Sequence, residues 1–483
     1  MESGPVTDAG VPFLTSQAAM EASSVAVVVV SKLISLKGLS RSEEADLQRA
    51  YTFVPKVPFG VPGHRPKPKP VRLYRKIEVD TLLVTRDPRL LSLYPDARDE
   101  QPVVSSSPLV NFTGVLDPMR QQVEAVEACI ASLRRTPLGG GAVLCLPPGY
   151  GKTACSLYIS SMVGRRTLIL VHTSVLARQW LDRISSFLEG ASTLLVTPVK
   201  VVTREVVSSK THVVVLLQTV VALLKRETAD VGWLDMFDLT IFDEVHHLCA
   251  RTLCQVVEAV GSRYRLGLSA TPERKDGLHP MLDVLIGPIA YRCERKAVTD
   301  VSVQVIKFMS PTMMRPTDTH VGEITAIVRD RDRTRCLAEA ILSHRKRFML
   351  VLSDRLEQLA EIRSMITPTL PSFMAVGGTK EDVNVEARPV VLATYAYASE
   401  GLDIPELNTC ILATPRTDVC QSIGRILRRT SSDGDHAPLV IDMVDSDRPI
   451  LHRQFLKRKA YYLKSPSEGG LGASLSFTFY QKS

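Results

Sequence analysis

The run Pro147-Pro148-Gly149-Tyr150-Gly151-Lys152-Thr153 constrains this chain more than any other stretch of its 483 residues. An apolar segment at 141–146 precedes it and reads as a strand, and 154–163 follows as the start of a helix. A Gly-rich turn that joins a strand to a helix and closes on Lys-Thr suits a triphosphate. Small residues let backbone N–H groups point at phosphate oxygens, and a helix N-terminus favours negative charge. Pro148, Gly149, Tyr150 and Gly151 would form the cradle, Lys152 would meet the outer phosphates, and the Thr153 hydroxyl would ligate Mg²⁺. The full eight-residue pattern begins with glycine where this chain has Leu146, so the loop alone also fits an ordinary turn with a solvated lysine.

Length and composition allow several folded domains. The chain is 45% hydrophobic and 23% charged, enough apolar surface for large cores. A net charge of +8 suits a polyanionic partner without specifying one. The apolar run at 25–30 is too short to span a bilayer and has no basic segment before it, so no membrane partner is expected. Nine cysteines at irregular spacing point to reduced, buried thiols and an intracellular setting. His246, His247, Cys249 and Cys254 cluster in sequence, but no Cys-x-x-Cys pair accompanies them, and a helix after a strand is the better reading than zinc.

The pattern divides the chain into a small N-terminal accessory region at 1–110, two α/β lobes at 111–300 and 301–464, and a tail or terminal hairpin at 465–483. The first region holds a helix near 42–51, a basic proline-spaced stretch at 61–70 and strand-like alternation at 71–84. In the first lobe a helix at 118–133 leads to apolar strands at 142–146, 167–171, 212–216, 239–242 and 265–269, with a helix at 174–188 among the connections. In the second lobe a less regular insertion around 300–324 precedes a helix at 323–343. Strands then recur at 348–352, 372–376, 389–393, 409–413 and 439–442, with a helix at 355–365. Continuous apolar strands separated by helices predict parallel sheets covered on both faces, with ligands at the carboxyl ends of the strands. Only the first lobe has a phosphate loop, which suggests a cleft between the two.

The strand at 239–242 runs into Asp243-Glu244-Val245-His246. Charge at the end of a buried strand is costly without a partner. Asp243 can hold Mg²⁺, usually through water, and Glu244 can orient and deprotonate the water that attacks a γ-phosphate. His246 would relay nucleotide state to the next strand, while His247 reads as packing or surface. Ser269 and Thr271, at the next strand end, can hydrogen-bond that turn and sense hydrolysis. In the second lobe 421–429 reads as a helix that places Gln421, Arg425 and Arg428 on one face. Arginine forks suit phosphate oxygens, and one of them would stabilise the transferring phosphoryl. Gly401 allows an unusual backbone angle, and Asp403 would approach the ribose or metal region.

These segments together resemble a superfamily 2 DExH-type helicase, XPB-like and close to helicases of large DNA viruses, including the poxvirus transcript-release helicase. The resemblance rests on LPPGYGKT (146–153), DEVHH (243–247), LGLSATPERKDGL (266–278), VLSDRLEQL (351–359), ASEGLDIP (398–405) and QSIGRILRR (421–429), in the expected order. It implies two tandem RecA-like lobes, ATP and Mg²⁺ as cofactors, and Lys152, Thr153, Asp243, Glu244, Gln421, Arg425 and Arg428 as the hydrolytic set. Ser269, Thr271, His246 and Gly401 would couple that set to movement. It also implies nucleic acid as partner, with DNA favoured over RNA, and movement 3′ to 5′. Thr173, Gln179-Trp180, Gln218, Thr219 and Thr394 match its nucleic-acid-facing positions. Transcription or repair machinery, and a nuclear or viral compartment, belong to the same implication. Leu146 is no anomaly in this family. The chain departs from it at Leu116-Asp-Pro-Met-Arg120-Gln121-Gln122, where Arg120 takes the usual glutamine position and leaves Gln121 or Gln122 to serve the adenine. An arginine–glutamate–aspartate strand-separation signature is not evident either. The basic strings 344–347 and 457–459 are candidate contacts to a phosphate backbone or solvated helix faces.

Overall fold

A computed structural model describes residues 27–56, 68–102, 104, 109–163, 166–197, 202–226, 229–250, 252–274, 276–293, 301–310, 319–376, 390–400, 402, 404, 406–427, 436–465 and 470–480. The chain forms two compact units, Met1–Leu146 with Gly151–Arg292 and Cys293–Ser483 with Pro147–Tyr150. Among the described residues no helix is long and apolar enough to cross a membrane. All nine cysteines are free, and eight of them are buried.

The first unit is built on a seven-stranded sheet in the order Thr193–Val196, His212–Leu216, Thr167–Val171, Leu239–Phe242, Tyr264–Ser269, Gly140–Cys145 and Ile289–Arg292. Every neighbouring pair is parallel. The central strands are buried at every position, which is why they read as unbroken apolar runs rather than alternating ones. The edge strands Thr193–Val196 and Ile289–Arg292 are only partly covered, and their weaker patterns escape a reading tuned to apolar runs.

The N-terminal region is knitted into this unit. Its five-stranded sheet runs Tyr74–Glu78, Thr81–Thr85, Leu33–Lys37, Val27–Val30 and Arg98–Asp99. The buried Arg86 guanidinium donates to Gln101 Oε1 at 2.6 Å and to the Ser262 carbonyl. Arg265, also buried, donates back to the carbonyls of Arg86 at 3.2 Å and Leu285 at 2.9 Å. Buried guanidinium groups persist only with such partners. The helix Arg41–Ala50 begins at Ser40 with a reciprocal Ser40–Glu43 capping box. The basic prolines at 61–67 lie outside the described residues.

The second unit repeats the plan in the order Ser372–Ala375, Val390–Thr394, Met349–Ser353, Thr409–Leu412, Leu439–Asp445, Ser302–Phe308 and Ser474–Phe479, again all parallel. Two expectations need correction here. The irregular insertion contains the strand Ser302–Phe308, whose partly alternating burial marks a place near the sheet's edge. The expected tail or hairpin contains Ser474–Phe479, which pairs in parallel with that strand and so is not its hairpin partner.

The helix expected at 323–343 is two helices, His320–Arg329 and Arg331–Ser343, because Asp330 leaves helical geometry and its side chain accepts from the Arg333 N–H. Arg333, buried, then grips Asp445 with bonds of 2.7 and 2.9 Å. Arg458, in the helix Pro449–Leu463, does the same to Asp442 at 2.8 and 2.9 Å and is fully buried. Arg458 therefore fastens a helix to the sheet and is not a backbone contact for nucleic acid. Arg347 likewise donates to the Ala437 carbonyl at 2.8 Å.

Candidate nucleotide site

Gly149 and Gly151 both have φ of +82°, a conformation that L side chains rarely adopt. The Tyr150 N–H donates to the Pro147 carbonyl at 3.2 Å, which closes a tight turn. Lys152 opens the helix Lys152–Val163, with Thr153 as its second residue. The Lys152 ammonium donates back to the Leu146 carbonyl at 3.1 Å, so its charge lies over the turn rather than in solvent. A backbone twisted in this way, at a helix start and beneath a cation, matches the shape and charge of bound phosphates.

Gln122 resolves which glutamine stands at this loop. The expected continuous helix at 118–133 is a short 3-10 turn, Pro118–Arg120, followed by Gln122–Leu133, with Gln121 between them at φ 56°. That left-handed step separates three neighbouring side chains. Arg120 pairs with Asp117 at 3.1 Å, and Gln121 accepts from the Tyr291 hydroxyl at 2.7 Å. Gln122 is buried, accepts from the Asp117 N–H at 2.8 Å, and lies against the loop so closely that a Cβ on Gly151 would stand 2.3 Å from its Nε2.

The carboxylates follow the strand Leu239–Phe242. Asp243 is buried, its Oδ1 accepting from the Glu244 N–H at 3.0 Å and its Oδ2 from the Trp180 indole N–H at 2.9 Å. Burial, with the Glu244 charge beside it, pushes the Asp243 carboxyl above its usual range, and the Trp180 bond and the Lys152 charge pull it back. Glu244 has φ 48° and ψ 55°, one of two non-glycine residues with positive φ among those described. Such a backbone costs energy and turns the side chain away from the strand line. Its Oε2 is buried without a hydrogen-bond partner among the described residues. His246 Nδ1 lies 3.5 Å from that oxygen, but burial and Arg274 push the imidazole down to about 4, so the contact is not an ion pair at neutral pH. Asp243 and Thr153 carry the kind of oxygen donors a hydrated divalent cation takes, although among the described residues no group of three or more His, Cys, Asp or Glu is placed to hold a metal.

His246 is joined to the next strand. Its Nδ1 is 3.2 Å from Ser269 Oγ, which also accepts from the Thr271 N–H at 3.2 Å. Arg274 adds a link that escaped the sequence reading, donating to the His246 carbonyl at 2.6 Å while pairing with Asp276. The His247 ring packs between His172 and His246, at centroid distances of 4.5 Å from His172 and 4.4 Å from His246.

Elsewhere the placements differ. Thr173 caps the helix Ser174–Phe187 by accepting from the Leu176 N–H, and Gln179 on that helix is partly exposed. Trp180, read with Gln179 as facing nucleic acid, is instead 2% exposed and turned inward. Gln218 is exposed and Thr219 buried, so of that pair Gln218 presents its side chain to solvent. Thr394 ends its strand and accepts from the Tyr397 N–H at 3.3 Å. The helix expected at 421–429 is only Cys420–Gly424, with Arg425 as its cap. Arg425 donates to the Leu402 carbonyl at 2.8 Å, and Gln421 is partly exposed. Gly401, Asp403 and Arg428 lie outside the described residues.

Residues 116–274 match the family model described as type III restriction enzyme, res subunit. A protein of Acanthamoeba polyphaga mimivirus, provisionally described as an ATP-dependent RNA helicase, is 32% identical over 74% of this chain and 69% of its own. A DNA 3′-5′ translocase of the XPB type from Sulfurisphaera tokodaii is 32% identical over 43% of each chain. In fold, the chain is similar to the Saccharomyces cerevisiae protein Dbp5 solved with RNA and ADP BeF3. That likeness has a TM-score of 0.52 at 14% identity, over 74% of this chain and 89% of that one.

Proposed function

This chain belongs to the superfamily 2 DExH-type helicases, XPB-like and close to those of large DNA viruses, and is an ATP-dependent helicase. From that premise we propose that it couples ATP hydrolysis to 3′-to-5′ movement along nucleic acid, with DNA favoured, and to strand separation. The observation that carries the hydrolytic part is the buried Glu244 Oε2, which lacks a hydrogen-bond partner among the described residues, beside an Asp243 whose two oxygens are both held.

In this reading the loop at 147–153 and the Lys152 ammonium take the phosphates; Thr153 and Asp243 would hold Mg²⁺, which would supply neutralising charge there. Glu244 accepts the proton of the attacking water, and its twisted backbone sets the direction of approach. We propose Gln421, Arg425 and Arg428 as further members of the hydrolytic set, Asp403 as a nucleotide-binding residue and Gly401 as a coupling residue. Loss of the γ-phosphate is then felt through His246, Ser269 and Thr271. Thr173, Gln179, Gln218 and Thr394 grip the sugar–phosphate backbone, an interaction that weakens with salt and reads no sequence. The domains proposed to carry this are 111–300 and 301–464.

ATP turnover titrated with single-stranded DNA, duplex DNA and RNA at fixed salt tests the reading. Stimulation by one of them supports it, and turnover indifferent to all three overturns it. A runner-up reading, duplex translocation without processive unwinding, predicts displacement of a triplex strand but none of a duplex strand.

The glutamine assignment gives a separate test. Gln122→Ala removes a buried amide from the loop, an effect of about 1 kcal/mol or more, so the KM for ATP should rise about 5- to 10-fold. Arg120→Gln should leave KM within twofold. The reverse ranking would return the adenine role to position 120.

A further inference from the structure

Trp180 touches Asp243 from the helix Ser174–Phe187, which Thr173 caps and which carries Gln179. Its indole N–H, a donor with no acceptor capacity, meets Asp243 Oδ2 at 2.9 Å, and the ring is 2% exposed. Asp243 Oδ1 is held separately by the Glu244 N–H. The carboxylate plane is thus fixed by two donors, one on its own turn and one on the helix Ser174–Phe187. We propose that Trp180 is a positioning residue that sets the orientation of Asp243 toward the metal and transmits displacement of the Ser174–Phe187 helix to it. This deepens the function proposed above and rests on Asp243 as the metal-holding carboxylate. A nucleic acid that shifts Thr173 and Gln179 moves the indole with the same rigid helix, and the aspartate follows its hydrogen bond.

The chain has two tryptophans, so Trp233→Phe leaves Trp180 as the sole indole fluorophore. In that variant, at saturating ADP, the emission should change saturably as MgCl₂ is added and again when a single-stranded oligonucleotide is added. In otherwise wild-type protein, Trp180→Phe keeps most of the ring volume but removes the donor. The MgCl₂ concentration for half-maximal ADP binding, measured by calorimetry, should rise about 5- to 10-fold while the Tm falls only slightly. A lowered Tm with unchanged Mg²⁺ dependence would show a merely structural ring and overturn the proposal. So would an indole emission indifferent to both additions, which decides the matter even if Trp180→Phe fails to fold. Absence of ADP binding by the wild-type chain would instead strike the nucleotide reading itself.

A second observation lies at the far edge of the other sheet. In the strand Ser474–Phe479, Phe477 and Phe479 point to one face and are 44% and 67% exposed. The Lys307 ammonium stands 5.3 Å from the first ring centroid and 4.9 Å from the second, and Lys459 stands 5.9 Å from Phe477. Exposed aromatic rings on a sheet edge are a liability for a chain with no use for them. Two rings beneath lysine ammonium groups complement a single-stranded nucleic acid, whose bases stack and whose phosphates take the lysines. The magnitudes favour the exchange: an exposed cation–π contact is worth about 0.5–1 kcal/mol, and a base stacked on an aromatic side chain about 1–3 kcal/mol. We infer that this edge is an auxiliary platform for single-stranded nucleic acid, five strands away from the Thr394 strand in sheet order.

The probe is a fluorescein-labelled oligothymidylate. Phe477→Ala with Phe479→Ala should weaken its binding about tenfold without changing the Tm or ADP affinity, and tryptophan at both positions should restore it. Unchanged affinity in the alanine variant overturns the inference and leaves the rings to a protein partner. No binding by wild type would count against the nucleic-acid reading instead.

Discussion

Glu244→Gln is expected to lower nucleic-acid-stimulated ATP turnover by about 10²–10⁴-fold, the usual contribution of a positioned general base. The amide has the same shape and volume, so the left-handed turn at 244 and the bond from its N–H to Asp243 should persist. What disappears is an acceptor of protons. The buried Oε2 has no hydrogen-bond partner among the described residues that the amide would disturb, which makes this a clean chemical substitution. ADP binding by calorimetry should stay within a few-fold of wild type, and the Tm should hold. Turnover within threefold of wild type would move the base elsewhere and leave Glu244 a strained but inert turn.

Arg425→Ala is expected to be as damaging for a different reason. An arginine that meets the transferring phosphoryl is worth about 10³–10⁵ in rate where one has been measured. Arg425 caps the Cys420–Gly424 helix and is anchored by one fork arm to the Leu402 carbonyl at 2.8 Å. That anchor limits the directions in which the rest of the guanidinium can point. Lysine has one compact charge and no fork, so Arg425→Lys should recover little. Single-turnover hydrolysis at saturating nucleic acid is the measurement, because it separates the chemical step from product release. A variant with a wild-type single-turnover rate would remove Arg425 from the reaction.

The motifs proposed for hydrolysis were legible because their chemistry and their place in the fold share one cause. A buried parallel strand must be apolar throughout, so Asp243 and Glu244 stand out at the end of Leu239–Phe242. Their backbone twist was not legible, since no local pattern announces a left-handed glutamate. Gln121 and Gln122 were indistinguishable until the step at Gln121 sent one to Tyr291 and the other to the loop. Charge strings misled for a related reason. Arg458 looks like a surface cation between two lysines, and only the sheet supplies the Asp442 that buries it. Trp180 read as a surface residue because its acceptor lies 63 positions further along the chain. Helix length failed at 421–429 and at 330, where a turn or an aspartate cap interrupts a continuous pattern.

The pairing of Ser302–Phe308 with both Leu439–Asp445 and Ser474–Phe479 has a consequence for how the chain is made. Its first strand emerges from the ribosome well over a hundred residues before either neighbour exists. At about 5–20 residues per second that strand waits on the order of ten seconds or more with both edges open. The first unit is complete by residue 292 and free to fold during the delay. Synthesis therefore passes through a stage at which the phosphate loop, Asp243 and Glu244 already exist but the arginines are unplaced. A nascent chain at that stage should retain nucleotide without turning it over.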